Sequence, residues 1–306
     1  MSVSVLYDAP GPKTRRRSMI ASIVGIVVII AFFFWMYVTL AAPRVNANGA
    51  TTPGMFDASR WDVLAQPVVW TSFGTATLNT LRMAAAAAVL AVAIGIAFSF
   101  GRTARQRWIR VATGIILEFV RGIPLLLMIF FVFLVFAVGS YWSGVLGLAI
   151  YNGAIIGEAL RAGVVSLPRG QKEAGLAVGL SPLKTWRLIE FPQAFRQMLP
   201  IILAQLVVLL KDTSLAYIVG YPELARTIKN DTNFFGSRYI FTLFIVGLVI
   251  YLALNLTLSW IARFVARRSG PKLGKATAAV TRQPGEDGTR AITLPRQNYG
   301  PPDPPH

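Results

Sequence analysis

The stretch LNTLRMAAAAAVLAVAIGIAFSF, residues 78–100, decides the class of fold to which this chain belongs. A bilayer core of about 30 Å requires about 20 mostly apolar residues in a helix, and this stretch is long enough. Its charged residue, Arg82, lies near one end, from which a long side chain reaches the membrane interface. The small side chains of residues 84–88 allow a neighbouring helix to approach closely. The stretch therefore predicts a transmembrane helix with a tightly packed partner.

Further runs of the same kind lie on both sides of this one. They cover residues 19–42, 122–138, 142–160, 198–219 and 239–261. The first run follows the basic cluster Lys13–Arg17, but it is far longer than the roughly 7–15 apolar residues of a secretory signal. We therefore interpret it as a retained, additional N-terminal helix. The sequence predicts an all-α membrane protein with six transmembrane helices.

The composition excludes most soluble and catalytic classes. Hydrophobic residues make up 55% of the 306 residues and charged residues only 14%, whereas an average soluble domain has about 25% charged residues. The chain has no Cys, which excludes disulfides and thiolate metal sites, and its one His is the terminal His306. A Ser-His-Asp triad is therefore not expected. We predict neither catalytic residues nor a metal site in this chain.

The distribution of basic residues predicts the orientation in the membrane. The net charge is +17, and 23 of the 30 Lys and Arg residues fall in the segments 1–18, 101–121, 161–197 and 263–306. The positive-inside rule places these segments and both termini in the cytosol of a multi-pass cell-membrane protein. Because apolar runs separate the basic residues, they form no continuous groove, and we expect membrane lipid rather than nucleic acid around the chain.

These spans divide the chain into five parts. A basic cytosolic N-terminus, 1–18, precedes the additional helix 19–42 and an extracytoplasmic loop, 43–69. The main transmembrane domain, 70–262, contains a long cytosolic loop, 166–196. It is followed by a basic tail, 263–306, which is rich in Pro and Gly and is expected to be disordered. In the extracytoplasmic loop, the spacing of four residues predicts a short amphipathic helix on the membrane surface. These four are Phe56, Trp61, Leu64 and Ala65.

The loop 166–196 is too long for a simple connection and has a helical pattern of its own. Gly179 is placed to end a first short helix, and Ser181 and Pro182 match the N-cap and the first position of a second. We predict that the second helix ends where Phe191-Pro192 turns the chain. Two short helices in a partner's groove could transmit force to the flanking spans, but the periodicity fits an ordinary amphipathic surface loop equally well.

The spacing Glu173-Ala174-Gly175-x3-Gly179-x9-Ile189-x-Phe191-Pro192 resembles the EAA motif of ABC-importer permeases, EAA-x3-G-x9-I-x-L-P. Every gap length agrees, while Gly175 and Phe191 replace Ala and Leu. Six further segments resemble the polar amino acid uptake branch of that superfamily, which is HisMQ-like, and the N-terminal region resembles actinobacterial glutamate permeases. The six are Gly74–Leu78, Glu118–Leu126, Glu158–Gly163, Pro168–Glu173, Pro192–Arg196 and Lys211–Leu215, with Ile123 where the family usually has Thr.

This resemblance implies a five-helix type I ABC-importer core plus the N-terminal helix. It implies import of a polar amino acid, with glutamate favoured, followed by glutamine or aspartate. The implied partners are two cytosolic ABC ATPase subunits, a second permease (a sister subunit or a second copy) and an extracytoplasmic amino-acid-binding protein. The chain itself would bind no cofactor, and the ATPases would use ATP and Mg. The implied ATPase-coupling residues are Glu173, Ala174, Gly175, Gly179, Ile189 and Pro192.

Polar residues within the fifth predicted span are candidates for the substrate pathway. Charged groups inside a span are costly and by default indicate a polar cavity or path. An amino acid carries both charges, so Asp212 could contact its ammonium, whereas Lys211 faces about 100° away. The candidates are Gln205, Lys211, Asp212, Thr213, Ser214 and, at the start of the third span, Arg121.

For three of these candidates a structural role is the alternative. Lys211 and Asp212 could pair with other helices, and Arg121 could be an interfacial residue or could pair with Glu118. Glu158 and Arg161 are interpreted as a structural pair. The alternative function for the whole chain is an ATPase-independent channel or ion-coupled carrier, which would tolerate changes in the loop 166–196.

Overall fold

The computed structural model describes residues 11–45, 49 and 51–269, most of which are helical. The long helices are α1 (Pro12–Ala41), α2 (Pro67–Thr103), α5 (Gly139–Val165), α8 (Phe191–Asp212) and α10 (Ile240–Ser269). The shorter ones are α3 (Arg107–Gly122), α4 (Leu125–Phe136), α6 (Arg169–Ala177), α7 (Pro182–Thr185) and α9 (Leu224–Phe235). Two two-residue strands, β1 (Arg44–Val45) and β2 (Thr51–Thr52), pair antiparallel. The prediction of an all-α membrane protein is confirmed in its helical, apolar character.

Within the described residues, five helical segments are long and apolar enough to cross a membrane. They are Lys13–Ala41, Pro67–Thr103, Gly139–Val165, Pro182–Val219 and Ser237–Arg268. A sixth span requires α3 and α4 together, and these two helices meet at an angle of 104°. The number of spans is therefore five or six.

The third predicted span, 122–138, is not one straight crossing. Its helical part is α4, whose 12 residues extend about 18 Å, well short of a 30 Å bilayer core. The break falls at Ile123 and Pro124, because a residue before proline is driven out of the α region and Ile123 adopts an extended conformation. The hydropathy of 122–138 thus identified an apolar segment but not its bend.

The segment before α2 differs from the predicted amphipathic helix. Residues Ala58–Arg60 and Asp62–Ala65 form two 3-10 turns, and α2 begins at Pro67 instead of Leu78. The Arg60 side chain in this segment is buried. Its guanidinium donates hydrogen bonds to the carbonyl oxygens of Pro53, at 2.8 Å, and Arg238, at 2.6 Å.

Helices α2 and α5 form the central pair of the fold and approach each other very closely. The alanines Ala84, Ala87 and Ala91 are buried, as predicted for the small-residue centre of residues 78–100. Glycines bring the two backbones into contact farther along: a Cβ on Gly95 would lie 2.6 Å from Ile156 Cγ2 and 3.2 Å from the Gly153 carbonyl oxygen. The prediction of a closely packed partner for this span is therefore confirmed.

The additional helix α1 touches the rest of the described chain only near its C-terminal end. Its apolar side chains from Met19 to Val38 are exposed around the whole circumference. The Tyr37 ring stacks on Phe56 at a centroid distance of 5.2 Å, and Phe56 packs edge-on against Phe241 of α10 at 5.4 Å. The loop before α2 therefore connects α1 to the start of α10.

The two ends of the chain differ from their predicted extents. Helix α1 begins at Pro12 and α10 continues to Ser269, so parts of the predicted terminal segments 1–18 and 263–306 are helical. Residues 1–10 and 270–306, which include most of the predicted disordered tail, lie outside the described residues.

Candidate functional site

The EAA-like residues lie on α6 and on the helix that follows it. Glu173 and Ala174 are exposed, whereas Gly175 is buried against the next helix. A Cβ on Gly175 would lie 2.8 Å from Thr185 Cγ2 and 2.9 Å from Ile189 Cδ1. The glycine in place of the family's alanine therefore makes room for Thr185, and α6 packs directly on the turn of helix containing Ile189.

The turn between the two loop helices has the predicted caps. Gly179 has a φ of +83°, which glycine adopts without steric cost, and it follows the end of α6. The Ser181 hydroxyl accepts a hydrogen bond from the backbone N–H of Lys184, and Pro182 occupies the first turn of α7. Both short helices of the predicted loop are thus present.

The predicted chain turn at Phe191-Pro192 is wrong. Residues Trp186–Glu190 form a π-helical turn, in which the N–H of Phe191 donates to the Trp186 carbonyl, and α8 continues directly from it. Pro192 lies in the first turn of α8 and the wider π turn precedes it, so the missing N–H and the ring are tolerated. The chain is therefore helical without interruption from Pro182 to Val219.

Aromatic side chains fix this π turn to α2. The Trp186 ring stacks on Phe191 at a centroid distance of 4.8 Å and packs edge-on against Phe100 of α2 at 5.1 Å. Such pairs contribute roughly 0.5–1.5 kcal/mol beyond the area they bury. The loop therefore has a defined position against the end of α2.

The segment Lys211–Ser214 marks the change from α8 to a 3-10 helix, Thr213–Val219. Lys211 is exposed, Asp212 is half-buried and Thr213 is buried. The Tyr251 hydroxyl of α10 donates to the carbonyl oxygens of Leu210, at 2.9 Å, and Lys211, at 2.6 Å. Tyr251 was not predicted, since an isolated tyrosine in an apolar span gives no sequence signal for this contact.

Lys211 and Ser214 line one wall of a cavity of about 540 Å³, together with Tyr251 and Asn255. Neither Lys211 nor Asp212 belongs to an ion pair among the described residues. The alternative in which these two charges pair with other helices thus has no ion pair to support it within residues 11–45, 49 and 51–269.

The remaining candidate residues lie apart from this cavity. The Gln205 amide donates to Asn152 Oδ1 of α5 at 2.8 Å, and Asn152 is fully buried. Arg121 is exposed at the end of α3, and the pair with Glu118 that was one alternative for it is not among the ion pairs of the described residues. The expected Glu158–Arg161 pair is present at 2.7 Å, and Arg102 lies 3.8 Å from the same carboxylate.

A buried acidic residue on the connection after this segment was missed by the sequence analysis. Glu223 is fully buried and caps α9, accepting hydrogen bonds from the N–H groups of Ala225, at 2.8 Å, and Arg226, at 2.7 Å. Loss of hydration on burial raises the pKa of Glu223 to about 7, although both N–H groups oppose this shift.

The comparison with known proteins agrees with this architecture. Residues 91–270 match the family described as the binding-protein-dependent transport system inner membrane component. Since this match covers more than half of the chain, the protein belongs to that family, and it is a multi-pass membrane protein. The predicted resemblance to ABC-importer permeases is confirmed.

Two relatives show similarity over most of their length. The glutamate transport system permease protein GluD of Corynebacterium glutamicum is 35% identical over 242 residues, which cover 76% of this chain and 88% of the relative. The probable glutamine ABC transporter permease protein GlnP of Bacillus subtilis is 35% identical over 204 residues, which cover 64% of this chain and 90% of the relative.

Among solved structures that share this fold, one covers about two thirds of the chain. An amino acid ABC transporter crystallised with histidines has a TM-score of 0.60 and 24% identity, over 68% of this chain and 98% of that chain.

Proposed function

We propose that this chain is the permease subunit of an ATP-binding-cassette importer that carries a polar amino acid into the cell. Glutamate is the favoured substrate, followed by glutamine or aspartate. Support for this order comes from the names of the relatives, since GluD is a glutamate permease and GlnP a probable glutamine permease. The chain acts as a transport subunit, and partner ATPases hydrolyse ATP with Mg.

The observation that carries this proposal is the unbroken helix from Pro182 to Val219. It joins the EAA-like loop to the polar segment Lys211–Ser214 without a flexible connection. At 1.5 Å per residue, Ile189 and Lys211 lie about 33 Å apart along this helix, which is about the thickness of a bilayer core. A push on one end is therefore transmitted to the other.

The surface of the loop suits a partner's groove. Glu173 and Ala174 are exposed on α6, and several apolar side chains of the loop are exposed as well. These are Leu176, Val178, Leu183 and Leu188, of which Val178 is 77% exposed. We assign this surface to one of two cytosolic ABC ATPases. Both termini then lie in the cytosol as well, with α3 and α4 together counted as one of six spans. A second permease and an extracytoplasmic binding protein complete the transporter.

The charges of Lys211 and Asp212 suit an amino acid substrate. Lys211 and Ser214 face the 540 Å³ cavity, which is within the roughly 300–1,000 Å³ of small-molecule sites. We assign the substrate carboxylate to Lys211, with Ser214 beside it on the cavity wall. Asp212 and Thr213 do not line this cavity, so we assign the ammonium to Asp212 at a separate point of the pathway, about 100° around the helix from Lys211. Gln205 is held by Asn152 and has a structural role in this assignment, as has Arg121 at the membrane interface.

Charge reversal at Glu173 tests the coupling. The complete transporter, reconstituted in vesicles with its ATPases and binding protein, should lose ATP-driven glutamate uptake and binding-protein-stimulated ATP hydrolysis on Glu173→Arg. Glu118→Arg, the same change at an exposed glutamate on α3, is the matched control and should retain both activities. ATP-driven uptake that survives Glu173→Arg in correctly inserted protein would contradict coupling through this loop. Competition by glutamine, aspartate and arginine then ranks the substrates.

A further inference from the structure

A strongly basic pocket of about 320 Å³ lies beside the loop, at the ends of α2 and α5 and the start of α3 and α6. It is separate from the cavity at Lys211, which lies near the opposite end of the long helix. Five cationic side chains line it: Arg102, Arg110, Arg161, Arg169 and Lys172.

The positive charge of this pocket is only partly neutralised. Glu158 serves both Arg161, at 2.7 Å, and Arg102, at 3.8 Å. Within the part of the chain that the structure describes, the other three cationic side chains form no ion pair. Two buried polar atoms of lining residues, Arg102 Nε and Gln171 Oε1, also lack a hydrogen-bond partner there. Buried polar groups normally have partners, so the pocket is incomplete as a purely structural feature.

One acidic side chain, Glu190, lines the same pocket. Glu190 is only 8% exposed and is not in an ion pair with any described residue. It ends the π turn of the long helix, and it also lines an adjoining cavity of about 900 Å³. A buried carboxylate without an ion-pair partner is costly. The pocket therefore combines an excess of cationic groups, which suit anionic groups of a ligand, with one carboxylate, which suits a cationic group of the same ligand.

We propose that this pocket binds an amino acid with a side-chain carboxylate on the loop side of the membrane, and that its occupancy inhibits transport. The two carboxylates of this ligand contact Arg110, Arg169 and Lys172, while its ammonium contacts Glu190. The pocket volume, near the lower end of the ~300–1,000 Å³ range of small-molecule sites, suits a single amino acid. The inference rests on the proposed function, because it makes the imported product an inhibitor of its own import.

Inhibition would result because the bound ligand contacts three helices at once. Lys172 is on α6 and Glu190 on the long helix, whereas Arg110 is on α3. A ligand bound by all three connects the loop to α3 and resists movement of the long helix relative to it. Accumulated product therefore slows the step that ATP hydrolysis drives.

The test uses the complete transporter in phosphatidylcholine vesicles with ATP in the lumen. Only transporters whose loop side faces the lumen are then active. Lumenal L-glutamate should lower both the initial uptake rate and the binding-protein-stimulated ATP hydrolysis. Glutarate, which has the same two carboxylates without the ammonium, should need about tenfold higher concentration for the same inhibition. Each variant is normalised to its own rate in vesicles that contain neither compound.

Two variants separate the contacts. Arg110→Gln should raise the half-inhibitory concentration of both compounds about tenfold, which corresponds to one lost charge-assisted contact. Glu190→Gln should weaken inhibition by glutamate only, so that the two compounds become equivalent. Equal inhibition of the natural chain by glutarate and glutamate would overturn the assignment of Glu190.

Two further outcomes would overturn the proposal. If the rates do not respond to lumenal glutamate, the inhibition proposal is wrong and the proposed function stands. If the natural chain shows no ATP-driven uptake, both the inhibition proposal and the proposed function are wrong. The third possibility is a lipid ligand. If Arg110→Gln alters only the dependence of the rates on added phosphatidylglycerol, the pocket binds a phospholipid headgroup and the amino acid proposal is wrong.

Discussion

Substitution of Gly95 by alanine measures how much the close contact of α2 and α5 contributes to stability. The new Cβ would lie 2.6 Å from Ile156 Cγ2 and 3.2 Å from the Gly153 carbonyl oxygen, whereas carbon atoms prefer about 3.5–4.0 Å. Relief requires the helices to separate or Ile156 to leave its rotamer, and such overpacking costs about 1–3 kcal/mol. A matched control lies on the same helix, since a Cβ on Gly74 would meet nothing within 4 Å.

The two variants share the helix-propensity gain of about 1 kcal/mol for alanine over glycine, so this gain cancels in their difference. We expect Gly95→Ala to be less stable than Gly74→Ala by about 1–3 kcal/mol. The measurement is reversible unfolding of the purified protein in mixed micelles. In an Ile156→Ala background the penalty of Gly95→Ala should fall, because the 2.6 Å contact with Cγ2 is gone, but part of it should remain, since the Cβ of residue 156 lies at 3.0 Å. Equal stabilities of Gly95→Ala and Gly74→Ala would refute the close packing of these two helices.

Three further predictions concern single interactions. Replacing Gln205 and Asn152 by leucine, singly and together, should give a coupling energy of about 0.6–1.7 kcal/mol in unfolding experiments with little change in substrate KM; no coupling together with a large KM change would place Gln205 at the substrate. Gly179→Ala should lower the free energy of unfolding by about 1–2 kcal/mol because of the positive φ and should reduce ATP-driven uptake. Gly179→Asn should retain uptake because asparagine tolerates that conformation, and equal uptake by both variants would contradict this view of the turn. Because burial raises the pKa of Glu223 from 4.5 to about 7, its contribution to the free energy of unfolding, roughly 3 kcal/mol, is fully present below pH 4.5 and is lost as the pH rises through 7. Glu223→Gln should remove this pH dependence of stability, and an unchanged pH profile would exclude Glu223 as its source.

The sequence predicts the spans well because the hydropathy of a span is averaged over many residues, so that no single residue decides it. The apolar run 78–100 and its small-residue centre identified both the span and its close contact. Local breaks are harder, since they depend on single residues whose effect is decided by neighbours. Pro124 breaks the chain between α3 and α4, whereas Pro192 lies within a continuous helix. The π turn that accommodates Pro192 is held by Trp186 stacked on Phe191 and packed against Phe100, which is distant in sequence.

The candidate site shows the same division between local and distant information. The caps at Gly179 and Ser181 followed from turn chemistry alone and are present. The exposure of Glu173 and the burial of Gly175 could not be predicted, because they depend on how α6 packs against Thr185. Glu190 was not part of any sequence motif either. It is of interest because folding brings it together with cationic residues from four other helices.

The contacts of α5 with α2 and with α8 differ in strength, and this difference indicates which of the two gives way when a force is applied. Glycines close the α2–α5 contact at backbone level over several turns, so separation would lose many atomic contacts at once. The α5–α8 contact has one comparable approach, where a Cβ on Gly163 would lie 2.6 Å from Met198 Cγ, and the Asn152–Gln205 hydrogen bond nearer the membrane centre. Interhelical hydrogen bonds in membranes average only about 0.6 kcal/mol. A force applied through the loop is therefore expected to shift α8 relative to α5 while α2 and α5 move together.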